Sequence, residues 1–253
     1  MKKALTIAGF DPTGGAGIQA DLKVFRALGV YGLSVVSSLT AQNTKGVRSV
    51  RSVPVEFVKT QLSVLLSDII PEATKTGMLY SEASVKALAL IIRKYSLKNV
   101  VVDPVMLSSS GKRLVEKNTP AVLRKKIFPL CTVITPNIYE ASVLTGIDIK
   151  TRADMEKAAV CLKAYGPGNV IVTGGHLEGV AMDVLYDGEF HYLRSSKKEG
   201  EYHGTGCVFS SALTAMLAEG LSVRGAAEGA KRFMARAFKK SFSPGSGMKL
   251  FNI

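Results

Sequence analysis

Short runs rich in Val and Ile recur along this chain between segments with helical apolar spacing, and that alternation leaves few folds open. Leu5–Ala8, Leu33–Ser37, Thr74–Thr76, Val100–Val102, Val133–Thr135 and Val170–Val172 each read as a strand covered on both faces. Such strands belong to a parallel sheet packed between helices. Ile18, Leu22 and Phe25, and then Val55, Val58, Leu62 and Leu65, supply the helical spacing between them. Pro54 and Pro120 suit the first turns of helices. Ala181–Tyr186 and Glu189–Leu193, joined at Asp187-Gly188, predict an antiparallel hairpin near one sheet edge. No repeat or linker divides the 253 residues, which fit one doubly wound α/β domain. Ser243-Pro244-Gly245-Ser246-Gly247 predicts a loosely held C-terminal tail over 243–253.

The start, Met1-Lys2-Lys3 followed by Ala4 to Phe10, imitates a leader peptide, but Asp11 ends its apolar run at once and a first strand is the better reading. No apolar run approaches the roughly 20 residues of a membrane span, so no membrane partner is expected. The three cysteines, Cys131, Cys161 and Cys207, form no CxxC pair and are odd in number. That excludes a disulfide framework and points to a reducing, cytoplasmic setting. The net charge of +13 is dispersed, without a basic stripe interleaved with aromatics. The pattern argues against nucleic-acid binding and suits phosphorylated ligands.

His203-Gly204-Thr205-Gly206-Cys207 opens directly into a small-residue apolar helix, Val208 to Ala218. Two glycines around a threonine let backbone N–H groups converge, and the helix behind them adds the positive end of its dipole. Cys207 lies on the same first turn, where the helix field is expected to lower its pKa and favour thiolate. An anion cradle and a proton acceptor in one pentapeptide suit phosphoryl transfer.

The segment from Ala8 to Asp21 lies between the first strand and the first helix, where open α/β sheets bind ligands. Gly15-Ala16-Gly17-Ile18-Gln19-Ala20 has the form of a dinucleotide fingerprint, yet no acidic residue follows Leu33–Ser37 to hold a ribose. A tight turn against which a flat ligand can lie is the better reading. A Walker A loop is excluded, because Arg113 follows Gly111-Lys112 and Met106 stands at the first glycine position. Gln42 offers a donor and an acceptor side by side, matched to an aminopyrimidine edge or equally to its own turn. Asp103-Pro104-Val105-Met106 and Thr135-Pro136-Asn137-Ile138-Tyr139-Glu140 both end strands. Asp103, Asn137 and Glu140 are therefore candidates to place a hydrated magnesium, while Asn137 and Glu140 also read as a capping box. Thr173-Gly174-Gly175-His176 closes a further strand and should face a nucleotide. His176 and His203 have no metal-ligand spacing with any cysteine, which argues against zinc.

Taken in order, AGFDPTGGAGIQADLK, AQNTKGV, TGMLY, DPVM with SSSG, ITPNIYEA, GGHL and HGTGC resemble the hydroxymethylpyrimidine/phosphomethylpyrimidine kinase family of thiamine biosynthesis. The resemblance implies a three-layer ribokinase-like α/β fold, its mostly parallel central sheet flanked by helices, and a homodimer. It also implies ATP as phosphate donor, magnesium, and two successive phosphorylations of a hydroxymethylpyrimidine. Carried over residue by residue, Gly9, Ala16, Asp21, Gln42, Met78 and Val105 would line the pyrimidine pocket together with Cys207. Gly204, Thr205 and Gly206 would form the anion hole, and Cys207 would accept the hydroxyl proton. Asn137, Thr173 and Gly175 would meet the ATP phosphates, and Asp103 and Glu140 the metal. The chain departs from the family where Phe10 replaces a usual Ser and Thr173 a usual Lys. A pyridoxal/pyridoxine kinase shares the HGTGC cysteine and is the rival reading, although Gln42 and Met78 lean to pyrimidine. A non-catalytic pyrimidine sensor is opposed by the presence of Cys207, Asp103, Asn137 and Glu140 together.

Overall fold

Valines alternate between the two faces of the central strands, and this alternation sorts the helices into two layers. In the computed structural model, which describes residues 1–175 and 181–253, β5 (Val100–Val102) sends Val100 and Val102 into one apolar cluster and Val101 into the other. The first cluster is closed by α2 (Val55–Leu66), α3 (Glu82–Lys94), α4 (Thr119–Lys126), α5 (Ile138–Thr145) and α6 (Arg152–Lys163). The second is closed by α1 (Gly17–Ala27), α7 (Thr205–Ala218) and α8 (Val223–Lys239). Helices on both faces explain why these strands read as continuous apolar runs.

The remaining strands are β1 (Lys3–Phe10), β2 (Tyr31–Asn43), β3 (Gly46–Ser52), β4 (Ala73–Thr76), β6 (Val133–Ile134), β7 (Asn169–Gly174), β8 (Ala181–Tyr186) and β9 (Phe190–Ser195). They form a nine-stranded sheet in the order β3-β2-β1-β4-β5-β6-β7-β8-β9. Neighbours from β2 to β7 run parallel, and the edge strands β3, β8 and β9 pair antiparallel. The fold class is thus the α/β, mostly parallel one expected. From β1 the chain moves outward to β2 and then returns to add β4 on the other side of β1. The carboxyl ends of β1 and β4 therefore flank a topological switch point, where such sheets leave a crevice for ligand.

Two elements differ from the expectations. β3 has no apolar pattern to announce it, because its residues are mostly exposed as it extends a hairpin beyond the helical layers. The C-terminal segment is a strap and not a loose tail. Beyond the glycine and serine turn, Met248, Leu250 and Phe251 are buried, and β10 (Ser241–Phe242) pairs with β11 (Leu250–Phe251). Phe251 stacks on Tyr202 at 5.8 Å between ring centroids and meets Phe238 edge-on at 5.2 Å. Met248 donates its amide to Thr44 O at the tip of the β2–β3 hairpin, and His203 donates its amide to Lys249 O. The polar turn at 243–247 conceals from the sequence how few residues the strap needs to make these contacts. Phe251→Ala is expected to lower the free energy of urea unfolding by about 3–5 kcal/mol, the cost of an aromatic cavity. A loss below about 0.5 kcal/mol, as for an exposed surface position, would mean that the strap is not part of the core.

Candidate active site

At the switch point β1 ends in Gly9-Phe10 and the chain turns through residues 11–16 into α1. Asp11 organises this turn. Its Oδ1 accepts from Thr13 N at 2.8 Å, and its Oδ2 from Ala16 N at 2.8 Å and His203 Nε2 at 2.8 Å. Burial alone would raise the Asp11 carboxyl, but His203 and then Thr13 outweigh it and hold the group below its ordinary value. Gly17, at φ +58°, lies so close to Gly9 O that a Cβ there would sit 2.2 Å from it. Only glycine closes the turn this tightly.

Against this turn sits the start of α7. Gly204, its N-cap, has φ +83°, and a Cβ at that position would lie 1.9 Å from Gly15 O. No side chain caps the helix, and no acidic residue stands in its first turn. Val208 N is the first amide to bond back, to Gly204 O, so the amides of Thr205, Gly206 and Cys207 have no partner within the helix. In that turn Gly206 is exposed and Thr205 and Cys207 are half-buried, whereas most of the rest of α7 is buried. The positive end of a buried helix thus opens onto the crevice, the arrangement that receives an anion.

Beneath this turn lies a buried ionic layer. Lys75 of β4 has no exposed surface, and its Nζ is 2.9 Å from both carboxylate oxygens of Asp21, on α1. Thr6 Oγ1 and Ser211 Oγ donate to the same carboxylate at 2.5 and 2.6 Å. Burial works against the Lys75 ammonium, but Asp21, Cys207 and Asp103 together hold its pKa above the ordinary value. Ser210, beside Ser211 on α7, donates to Asp103 Oδ2 at 2.8 Å. Consecutive serines therefore fasten the helix to two carboxylates.

The expectation of a Cys207 thiolate is not met. Its pKa is pushed up to about 12: burial is the largest cause, and the charges of Asp103 and Asp21 add to it. Lys75 and the amide of Gly17 act in the other direction and do not prevail. The helix field that favours thiolate is overcome by desolvation and by two nearby carboxylates. These influences favour the neutral thiol at Cys207.

The other residues singled out from the sequence distribute along the carboxyl edge. Gly9 packs on Met78, whose Cε would lie 2.6 Å from a Cβ at Gly9. Ala16 is the N-cap of α1, and Val105 folds back to donate its amide to Asp103 O. Asp21 lies below these residues, its carboxylate occupied by protein donors. Gln42 sits where the β2–β3 register shifts by one residue, lining a groove of about 680 Å³ with Lys45, Arg48 and Lys112. Asn137 and Thr173 meet through an isolated parallel bridge, and Gly175 is exposed at the end of β7. His176 lies outside the described residues.

Asn137 and Glu140 do form the capping box of α5. Asn137 Oδ1 accepts from Glu140 N at 2.9 Å, and Glu140 Oε2 accepts from Asn137 N at 3.0 Å. Glu140 is buried and pushed up to about 8, first by burial and then by the charge of Asp103. No cluster of three His, Cys, Asp or Glu side chains fit to cage a metal occurs among the described residues. Two buried carboxyls, Glu140 raised by burial and the charge of Asp103 and Asp103 by burial and the charge of Asp21, still suit magnesium, which takes one or two protein oxygens and completes its shell with water and phosphate.

Sequence reasoning missed Asp11, His203 and Lys75. Lys75 carried a signal, a charged residue flanked by threonines in a short buried strand, whereas the Asp11–His203 contact joins residues too far apart in sequence to leave one. Lys75→Met is expected to cost about 3–5 kcal/mol in urea unfolding, because Asp21 is left buried without its partner. The Lys75→Met/Asp21→Asn double variant should recover at least half of that loss, and a double variant whose cost is the sum of both singles would contradict the pairing.

Comparison with known proteins bears on this geometry. Residues 11–252 match the family model described as phosphomethylpyrimidine kinase. The chain is 41% identical over 252 residues to the hydroxymethylpyrimidine/phosphomethylpyrimidine kinase of Bacillus subtilis, covering 97% of this chain and 92% of that protein. It is 44% identical over 246 residues to the thiamine biosynthesis bifunctional protein ThiED of Geobacter sulfurreducens, covering 96% of this chain and 50% of that protein. The chain thus spans about half the length of such bifunctional relatives. Its fold superposes on the ADP complex of Bacillus subtilis pyridoxal kinase with a TM-score of 0.93 and 40% identity, covering 99% and 97% of the two chains.

Proposed function

From the premise that the chain belongs to the phosphomethylpyrimidine kinase family, we propose that it is an ATP-dependent kinase of thiamine biosynthesis. It phosphorylates 4-amino-5-hydroxymethyl-2-methylpyrimidine and then its monophosphate to the pyrophosphate. The observation that carries this reading is the uncapped first turn of α7, set against a glycine turn with Cys207 between them. Phosphoryl transfer requires in-line positioning and charge neutralisation more than covalent help. The amides of Thr205, Gly206 and Cys207 supply fixed donors to the transferring phosphoryl oxygens. Gly9, Ala16, Met78 and Val105 form the surface against which the flat ring lies. Asn137, Thr173 and Gly175 border the nucleotide phosphates.

Magnesium, when bound, supplies charge neutralisation at the phosphate oxygens, and Asp103 and Glu140 are the side chains that would hold it. Cys207 takes the proton of the attacking hydroxyl. The resting thiol is neutral, so this role requires its pKa to fall as the ligands assemble, and Lys75 is the buried cation that draws it down. Three free cysteines fit a cytoplasmic enzyme. No described helix is long and apolar enough to cross a membrane. Phe10 and Leu39 pair in register between β1 and β2 and are both exposed, an apolar patch available to a second copy in a homodimer.

A pyridoxal kinase activity is the second reading, supported by the likeness to a solved pyridoxal kinase and by the shared shape of the two heterocycles. ADP release should be measured with MgATP and hydroxymethylpyrimidine, its monophosphate or pyridoxal. Both pyrimidines should turn over, and Cys207→Ala should lower kcat about 100- to 10,000-fold, the range of a lost general base. Turnover of pyridoxal alone would favour the second reading, and a Cys207→Ala variant within threefold of wild type would remove Cys207 from the proton path.

A further inference from the structure

Residues 192 apart in sequence, Asp11 and His203, meet at 2.8 Å in the interior, with both side chains almost fully buried. Each stands at the head of one of the two turns that make the site. We propose that the Asp11–His203 pair is a positioning clamp, which fixes the turn under the substrate ring relative to the turn that holds the transferring phosphoryl group. The proposal rests on the reading of those two turns given above.

The contacts on either side of the pair define what it transmits. On the Asp11 side, the carboxylate also accepts from Thr13 N and Ala16 N, so it sets the path of the glycine turn as far as Gly17. The Gly17 amide in turn acts on the Cys207 thiol, favouring its ionised form. On the His203 side, the next residue is Gly204, which lies against Gly15 O with no room for a Cβ and begins α7. An ionised carboxylate only accepts hydrogen bonds, so His203 Nε2 is the donor. Nδ1, buried, has no hydrogen-bond partner among the described residues, so among these the imidazole is held through a single directed bond. A displacement of about 1 Å between reacting groups costs on the order of 100-fold in rate, and this bond governs a separation of that kind. The pair touches neither reacting atom, which makes it a positioning pair and not a catalytic one.

The amide nitrogen of Gln overlays imidazole Nε2, whereas that of Asn falls near Nδ1. His203→Asn is therefore expected to lower kcat about 100-fold, with the Kd of hydroxymethylpyrimidine, measured by calorimetry without nucleotide, within about threefold of wild type. His203→Gln should restore kcat to within about fivefold. Asp11→Asn/His203→Asn should lose clearly less than the product of the two single losses, because the Asp11–His203 bond is common to both. Equal losses in Gln and Asn variants, multiplied losses in the double variant, or a rise in Kd that matches the fall in kcat would each overturn the clamp. Amide hydrogen exchange reads the same device without turnover. His203→Asn should speed exchange at residues 13–17 and at 204–207 together, and His203→Gln should not. Loosening confined to 204–207 would overturn the proposal even in a chain with a different substrate. Should His203→Asn fail to fold, Asp11→Asn takes its place: faster exchange at 204–207, which Asp11 reaches through His203, supports the clamp, and exchange unchanged there overturns it.

Discussion

A lysine with no exposed surface fastens β4 to α1, and through the carboxylate it holds, α1 to α7. Lys75 is the register partner of Thr6 on β1, and the two reach the same Asp21 carboxylate from neighbouring strands. The elements that supply the glycine turn, the phosphate turn and the switch point are thus joined at one ion pair. A buried pair of this kind is weak evidence for stability, since desolvation offsets much of its attraction. Its consequence is local: it places one fixed positive charge under a helix terminus that already favours anions.

That placement sets the electrostatics of the crevice. The buried Lys75 ammonium acts on Asp21 and Asp103, and Asp103 in turn acts on Glu140, so acidic groups outnumber this cation in the buried layer. The excess appears as a Glu140 carboxyl pushed up to about 8 and a Cys207 thiol pushed up to about 12. Both shifts oppose ionisation until positive charge is added. The first-turn amides of α7 do not titrate in this range and need no side-chain reorganisation, so their donor field is fixed.

Much of the scaffold was legible because its signals are local. The Val100–Val102 strand and the Asp187-Gly188 hairpin are written in apolar runs and turn residues, and β5 and β8 occupy the expected residues. The helix after His203-Gly204-Thr205-Gly206-Cys207 was legible for the same reason, as was the Asn137–Glu140 capping box. The ionisation of Cys207 was not legible: the helix terminus that lowers a thiol pKa lies in the sequence, but the carboxylates that raise it come from α1 and the end of β5. Asp21 was placed among ligand contacts by the family resemblance, and only the fold shows its carboxylate turned to Lys75 and Ser211. β3 escaped because few of its residues are apolar, and the C-terminal strap because its apolar residues follow a glycine and serine turn and several of its contacts, at Thr44, Tyr202 and His203, lie far away in the chain.

The most direct test is a crystal structure of the chain with magnesium, a non-hydrolysable ATP analogue and hydroxymethylpyrimidine. The account predicts terminal phosphate oxygens on the amides of Thr205, Gly206 and Cys207, with the ring hydroxyl oxygen about 3.0–3.5 Å from Cys207 Sγ, within reach for proton transfer. A terminal phosphate held away from the first turn of α7, or a hydroxymethyl group directed away from Cys207, would contradict it.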